Sequence, residues 1–188
     1  MHELLYSQNH RSVVVLHGLG GIGKTQLAIA YTRKHKAKYT AIFWLNANDR
    51  DSLMLSFCRI AKQILRCHPS ADMLASADRD GNPEKVVEAV MSWLGVSKNT
   101  RWLMIYDNYD NPKLPGNTDA AAVDIRPFLP DCDHGSVIIT TRSSQVTMGM
   151  RIRVEKLENI QDGIQILSTT SGRKDIAESK TSEIECAP

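Results

Sequence analysis

The stretch that most constrains this chain is GLGGIGKT, residues 18–25. It follows the apolar run Val13, Val14, Val15, Leu16 and precedes a helical pattern that starts at Gln26. A strand buried on both faces, a glycine-rich loop and a helix must therefore follow one another. The spacing fits G-x-x-x-x-G-K-[ST], the phosphate-binding loop, in the context that supports such a match. Gly18, Gly20, Gly21 and Gly23 can take positive φ and let the backbone approach an anion closely. The amides from Gly18 through Leu19, Ile22 and on to Gln26 then face phosphate oxygens, and the helix dipole favours negative charge there. Lys24 can reach the β- and γ-phosphates as a mobile point charge, and the Thr25 hydroxyl can bind Mg²⁺.

Gly18, Gly20 and Gly23 also spell G-x-G-x-x-G, the dinucleotide fingerprint. Two features argue against that reading. Lys and Thr directly after the last Gly belong to the phosphate-loop template. The dinucleotide fold also wants an acid about 20 residues on, at the end of the second strand, and here the strand over 41–45 runs into Asn46. A ligand-free glycine turn would leave Lys24 facing four glycines with no stated partner.

The chain has 188 residues, the length of one domain. Its 23 basic and 21 acidic residues give a net charge of +2, which does not suggest nucleic acid or a membrane surface as partner. No apolar run approaches the ~18 residues of a membrane span. The opening MHELLYSQNHRS lacks an apolar signal core. Cys58, Cys67, Cys132 and Cys186 form no C-x-x-C pair and no zinc-ligand spacing. Reduced thiols and the missing signal point to the cytoplasm.

In order, residues 1–6 read as the end of a helix and 7–12 as a polar loop. Leu27, Ala28 and Tyr31 form the inner face of the helix after the phosphate loop, which ends in the cations 33–36. The second strand covers 41–45. Asn48 or Asp49 caps the next helix, whose stripe is Leu53, Phe57, Ile60, Ala61, Ile64 and Leu65. Residues 70–82 read as a solvated loop. Asn82 caps a third helix with Pro83 in its first turn, Val86, Val87, Val90 and Leu94 face inward, and Gly95 stops it. A third strand over 102–106 runs into Asp107. A linker over 108–135 holds four prolines, with Ile125, Phe128 and Leu129 as anchors. A fourth strand covers 137–140, ending at Thr141 and Arg142, and 151–154 reads as a short fifth. Residues 161–167 look like the start of a helix, and 168–188 turn polar and are expected to be poorly ordered.

Strands alternating with helices imply a mostly parallel sheet covered on both faces. Ligands of such sheets bind at the carboxyl ends of the strands. The loop at 18–25, Asp107 and Arg142 all fall there. Asp107 ends an apolar strand, where a Mg²⁺-holding acid belongs. The Arg142 guanidinium forks onto phosphate oxygens and suits sensing a γ-phosphate. Its bland alternative is a surface arginine paired with an acid. His17 reads as a buried, hydrogen-bonded core histidine. Asp110 and His134 are given no role.

GLGGIGKTQLA at 18–28, WLNAND at 44–49, WLMIYDNYDN at 102–111 and GSVIITTR at 135–142 resemble the NB-ARC domain. This is the nucleotide-binding module of NOD-like receptors and related STAND-class signalling ATPases, some of them in innate immunity. IYDNYD, DIRPFLP and HGSVIITTRSSQV look most like the fungal members. The resemblance covers about residues 4–167. It implies an α/β fold of the P-loop NTPase kind, a three-layer α/β/α sandwich. It implies ADP at rest, exchanged for ATP with Mg²⁺ on activation. By position, residues 18–25 with Gln26 hold the phosphates, Thr25 and Asp107 hold Mg²⁺, and Arg142 is the first sensor. It also implies an effector domain ahead, a sensor region behind, and homo-oligomerisation on activation.

Residues 1–158 then form an N-terminally truncated nucleotide-binding domain, and 159–188 the truncated start of a helical region. The glycine–arginine segment that helps hold adenine upstream and the GLPLA and winged-helix segments downstream are absent, as expected of a fragment. Many members carry a second acid after the Mg²⁺-holding Asp. Asn108 stands there instead, and an amide cannot take a proton as a carboxylate can. The expectation is a Mg²⁺-dependent ADP/ATP switch with slow hydrolysis or none. The alternatives are an active ATPase, a small-molecule kinase, for which no arginine lid is seen, and a degenerate interaction fragment.

Overall fold

The order of strands in the sheet, β2-β3-β4-β1-β5, decides which strand ends meet. The structure, a computed structural model, describes residues 1–5 and 10–155. The strands are β1 (Ser12–His17), β2 (Ala41–Asn46), β3 (Trp102–Asp107), β4 (Ser136–Thr141) and β5 (Met150–Arg153). Every pairing is parallel, so all five carboxyl ends lie along one edge. The helices are α1 (His2–Leu5), α2 (Lys24–His35), α3 (Arg50–Cys67), α4 (Asp72–Asp80) and α5 (Pro83–Leu94). The predicted boundary after 158, the helix start at 161–167 and the tail at 168–188 lie outside the described residues.

Side chains on a strand alternate between faces, and here each face has its own core. Val15, Met104, Tyr106, Val137 and Ile139 meet the inner stripes of α3, α4 and α5. Val14, Leu16, Leu103, Ile105 and Ile138 meet Leu5 of α1 and Ala28 and Tyr31 of α2. The result is the three-layer α/β/α sandwich of a P-loop NTPase. β3 and β4 are buried along their whole length, which their uninterrupted apolar runs foretell.

Helix starts follow local chemistry. Asp49 caps α3, accepting from the Ser52 amide at 2.7 Å and hydroxyl at 2.8 Å. Asn82 caps α5 through the amides of Glu84 and Lys85, with Pro83 at the first helical position.

Three local expectations are corrected. Residues 70–82 are not a loop: α4 occupies Asp72–Asp80 and buries Leu74 and Ala77 against the α3–α5 core. Its run is short and its polar residues conceal two apolar positions three apart, so only packing reveals it. Leu27 is 39% exposed, and Ala28 and Tyr31 alone of the predicted trio are buried. The helix begins at Lys24 rather than Gln26.

The long connection over 108–135 is tied down rather than loose. Ile125 and Phe128 are buried, and Leu129 partly so. The Tyr106 hydroxyl donates to the Phe128 carbonyl and the Tyr109 hydroxyl to the Val123 carbonyl at 3.0 Å. Burial pushes the Tyr109 phenol up to about 12, so it remains a donor at neutral pH.

At the opposite, amino edge of the sheet the Trp102 indole donates to the Leu94 carbonyl at 3.0 Å. Gly135 lies against the same ring: its φ is +84°, and a Cβ there would meet the indole at 2.3 Å. Gly135→Ala should therefore destabilise the domain by about 2–4 kcal/mol, combining left-handed strain with overpacking. Gly116 has a similar φ of +88° but open space around it, so Gly116→Ala should cost only about 1 kcal/mol. Urea unfolding of the two variants checks the difference, and equal losses would contradict it.

Candidate nucleotide-binding site

Residues 18–23 leave the carboxyl end of β1 and turn sharply into α2. Gly18, Gly21 and Gly23 adopt φ of 153°, 73° and 99°. Gly20 does not take positive φ. A Cβ there would make only an ordinary contact, 3.5 Å from Cδ of Arg142. The arginine stem thus passes beside the Gly20 position of the loop. Gly18 has a further constraint, since its Cβ would meet the Val154 carbonyl at 2.6 Å.

Gly23 caps α2 with no side-chain hydrogen bond, and the first turn carries no acid. The Leu27 amide makes the first helical bond, to the Gly23 carbonyl at 2.8 Å. The amides before it face the loop without a capping side chain, as an anion site at a helix start requires. The Lys24 ammonium folds back and donates to the carbonyls of Gly18 at 2.9 Å and Leu19 at 2.8 Å. Lys24 is 9% exposed. Burial lowers its pKa, Asp110 opposes that, Arg142 adds to it and Asp107 again opposes it. The acceptors of this charge are neutral carbonyls, weaker partners for an ammonium than anionic oxygens are.

Across the edge, Asp107 is only 6% exposed. Its Oδ1 accepts from the Thr25 hydroxyl at 2.8 Å and the Thr140 hydroxyl at 2.5 Å. Sheet register explains the second bond: Tyr106 pairs with Ile139, so the next residues, Asp107 and Thr140, are neighbours. The Thr140 hydroxyl also accepts from the Asn108 amide at 3.0 Å. Asn108 sits at φ 63°, a region that Asn and Asp tolerate better than most residues.

Arg142 and Asp110 form a two-point pair. The Arg142 backbone amide donates to Oδ1 of Asp110 at 2.7 Å, and Nε donates to Oδ2 at 2.5 Å. The bland expectation of an acid-paired arginine therefore describes the geometry. The pair nonetheless faces the loop. Gly20, Gly21, Gly23, Lys24, Thr25, Gln26 and Arg142 line one cavity of about 370 Å³, together with Asn108 and Asp110. Gly18, Leu19, Ile22 and Asp107 lie outside its lining, and Leu19 is exposed.

His17 is half-buried rather than buried, since it ends β1 beside β5. Burial first, then the charges of Arg151 and Arg153, hold its pKa below the ordinary histidine value. His134 has a structural part, with Nε2 2.9 Å from the Leu94 carbonyl and its ring edge-on to Trp102.

The glycine loop and the strand-end arginine line one cavity, and the buried strand-end acid is bonded to its Thr25 from behind, in a five-stranded parallel sheet. The family model of the NB-ARC domain matches residues 1–176. The chain belongs to the NB-ARC family. A nucleotide-binding leucine-rich repeat (NLR)-like protein of the fungus Hyaloscypha variabilis is 26% identical over 168 residues. That match covers 84% of this chain and 16% of the relative, so the chain spans about a sixth of the relative's length. Family membership makes the chain a nucleotide-binding module of the kind used in signalling proteins. Among the described residues no helix is long and apolar enough to cross a membrane.

Thr140, Asp110 and the backbone of Asn108 are the parts of this NB-ARC site that motif reading passed over. Asp110 was visible as the next acid after Asp107, but its partner was not. Thr140 lay hidden in an apolar strand and is revealed by register alone. Thr140→Val removes the bond to Asp107 and leaves the Asn108 amide unpaired. It should destabilise the domain by about 1–3 kcal/mol, and Thr140→Ser should restore most of that. Chemical denaturation of both variants tests this, and a neutral Thr140→Val would contradict it.

Proposed function

We propose that this NB-ARC domain is the nucleotide-holding core of a signalling switch that binds ADP and ATP with Mg²⁺. The observation that carries the proposal is the posture of Lys24. Its ammonium stretches across the glycine loop onto two backbone carbonyls, beside a helix start with no side-chain cap. Residues 18–26 would wrap the phosphates, and Arg142 would contact the terminal one.

The donor set also fits Mg²⁺, a hard cation that takes oxygen ligands and keeps several waters. Thr25 Oγ1 and Asp107 Oδ1 lie 2.8 Å apart, and no cluster of three His, Cys, Asp or Glu forms among the described residues. An ion here would draw its remaining ligands from phosphate and water. Thr25 and Asp107 would hold it, and when bound it would neutralise phosphate charge. Preference for adenine rests on the NB-ARC resemblance.

ATP differs from ADP by the γ-phosphate, so a switch must contact that group differently in its two states. Reversing a 1:99 population needs about 5.5 kcal/mol of differential binding. The flanking effector and sensor domains implied by the family, and self-association on activation, would supply the second state. Asn108 offers no carboxylate to prepare water, so hydrolysis is slow or absent.

Calorimetric titration with ADP and with Mg-ATP tests the site. Both should bind, with ATP weakened by EDTA and GDP weaker than ADP. Lys24→Ala should lose about a hundredfold in affinity with its far-ultraviolet circular dichroism unchanged. Unchanged affinity in that variant would refute the assignment. Asn108→Asp is compatible with the left-handed backbone there and should raise phosphate release by about tenfold or more. No gain would show that Asn108 does not limit hydrolysis.

A further inference from the structure

The strand-end arginine does not stand free, and the acid that holds it lies in the same cavity. Asp110 grips Arg142 at two points, the backbone amide at 2.7 Å and the side-chain Nε at 2.5 Å. The Asp110 side chain is 18% exposed, whereas that of Arg142 is 62% exposed. The arginine stem passes the Gly20 position, 3.5 Å from where a Cβ would stand, so Asp110 holds the guanidinium beside the phosphate loop. Asp110 is the one carboxylate among the described residues that line this cavity.

We propose that Asp110 is a latch on Arg142 that sets the preference between nucleoside diphosphate and triphosphate. The inference rests on the nucleotide-site reading above and goes beyond it, because it assigns a specificity role to a residue outside the phosphate-loop template. Its physical basis is competition. A diphosphate ends short of the arginine and leaves the Asp110–Arg142 pair intact. A triphosphate must draw the guanidinium away from a carboxylate that already satisfies it, and must bring its own terminal charge beside that carboxylate. Both terms weaken the triphosphate more than the diphosphate. Lys24 responds to both partners in opposite senses, as expected if all three charges share one field.

Asp110→Asn keeps a side-chain oxygen for the Arg142 amide and removes the charge. Affinities for ADP and for ATP, each with Mg²⁺, are measured on wild type and variant by displacement of a fluorescent nucleotide. ATP affinity should rise about tenfold, the scale of one partly exposed charge-assisted contact, while ADP, which feels only the lost repulsion, gains about threefold or less. Retained ADP binding also reports that the variant is folded. The same substitution is repeated in an Arg142→Gln background, where the latch has no guanidinium to hold, and the tenfold shift should shrink to about threefold or less.

An equal gain for both nucleotides, no gain for ATP, or loss of ADP binding in Asp110→Asn overturns the latch. A full tenfold shift in the Arg142→Gln background also overturns it, assigning the effect to direct repulsion by Asp110. If wild type binds neither nucleotide, the underlying site reading fails as well. If it binds both and only the ratio is unmoved, the latch alone fails.

Discussion

Two-sided burial of β3 and β4 is the constraint on which the rest depends. Both strands are covered by helices on each face, so apart from Ser136 at the start of β4, which bonds the Leu5 carbonyl, they are apolar until the carboxyl edge. Polar side chains are then admitted abruptly at the carboxyl edge. Asp107, Thr140 and Thr141 are buried there, which is tolerable because hydroxyls and amides pair with one another. A carboxylate buried in this way is held rigidly by Thr25 of α2 and Thr140 of β4. One atom of Asp107 therefore joins a helix to two neighbouring strands at the point where the phosphate loop turns.

The sheet order does the rest. β4 lies between β1 and β3, so Asp107 faces the loop across a strand width, and the residues after β4 emerge between them. This brings Arg142 beside Gly20 and within reach of Asp110. Among the described residues the cavity so formed carries two cations, Lys24 and Arg142, and one acid, Asp110. Each charge is already engaged, the lysine by loop carbonyls and the arginine by the acid. On the proposed reading, an incoming polyphosphate would replace existing contacts rather than fill bare positions. That is how a site of this construction can discriminate among anions instead of collecting them.

Much of this was legible in the residues. The five strands, the capped starts of α3 and α5 and the convergence of loop, Asp107 and Arg142 follow from hydrophobic period, Asx and Pro placement and the rule that ligands gather at strand carboxyl ends. What escaped shares one physical cause. α4 is a short helix whose apolar positions are separated by polar ones, and Leu27 and Ala28 differ in burial though adjacent in sequence. Thr140 is one of three hydroxyl residues in β4, and its sequence does not say which of them meets Asp107. Each depends on which surface comes to lie opposite, and local pattern carries no such information.

The sequence by itself determined the chemistry available: a glycine loop ending in Lys24 and Thr25, an acid at the end of an apolar strand, an amide at Asn108 and an arginine after β4. These are properties of residue type and local spacing. Only the tertiary structure decided the pairings. Parallel register set Thr140 beside Asp107, and the loop after β3 turned so that Asp110 took hold of Arg142. Residues 32 apart in the chain meet because two parallel strands end together, and nothing in the intervening sequence announces that meeting.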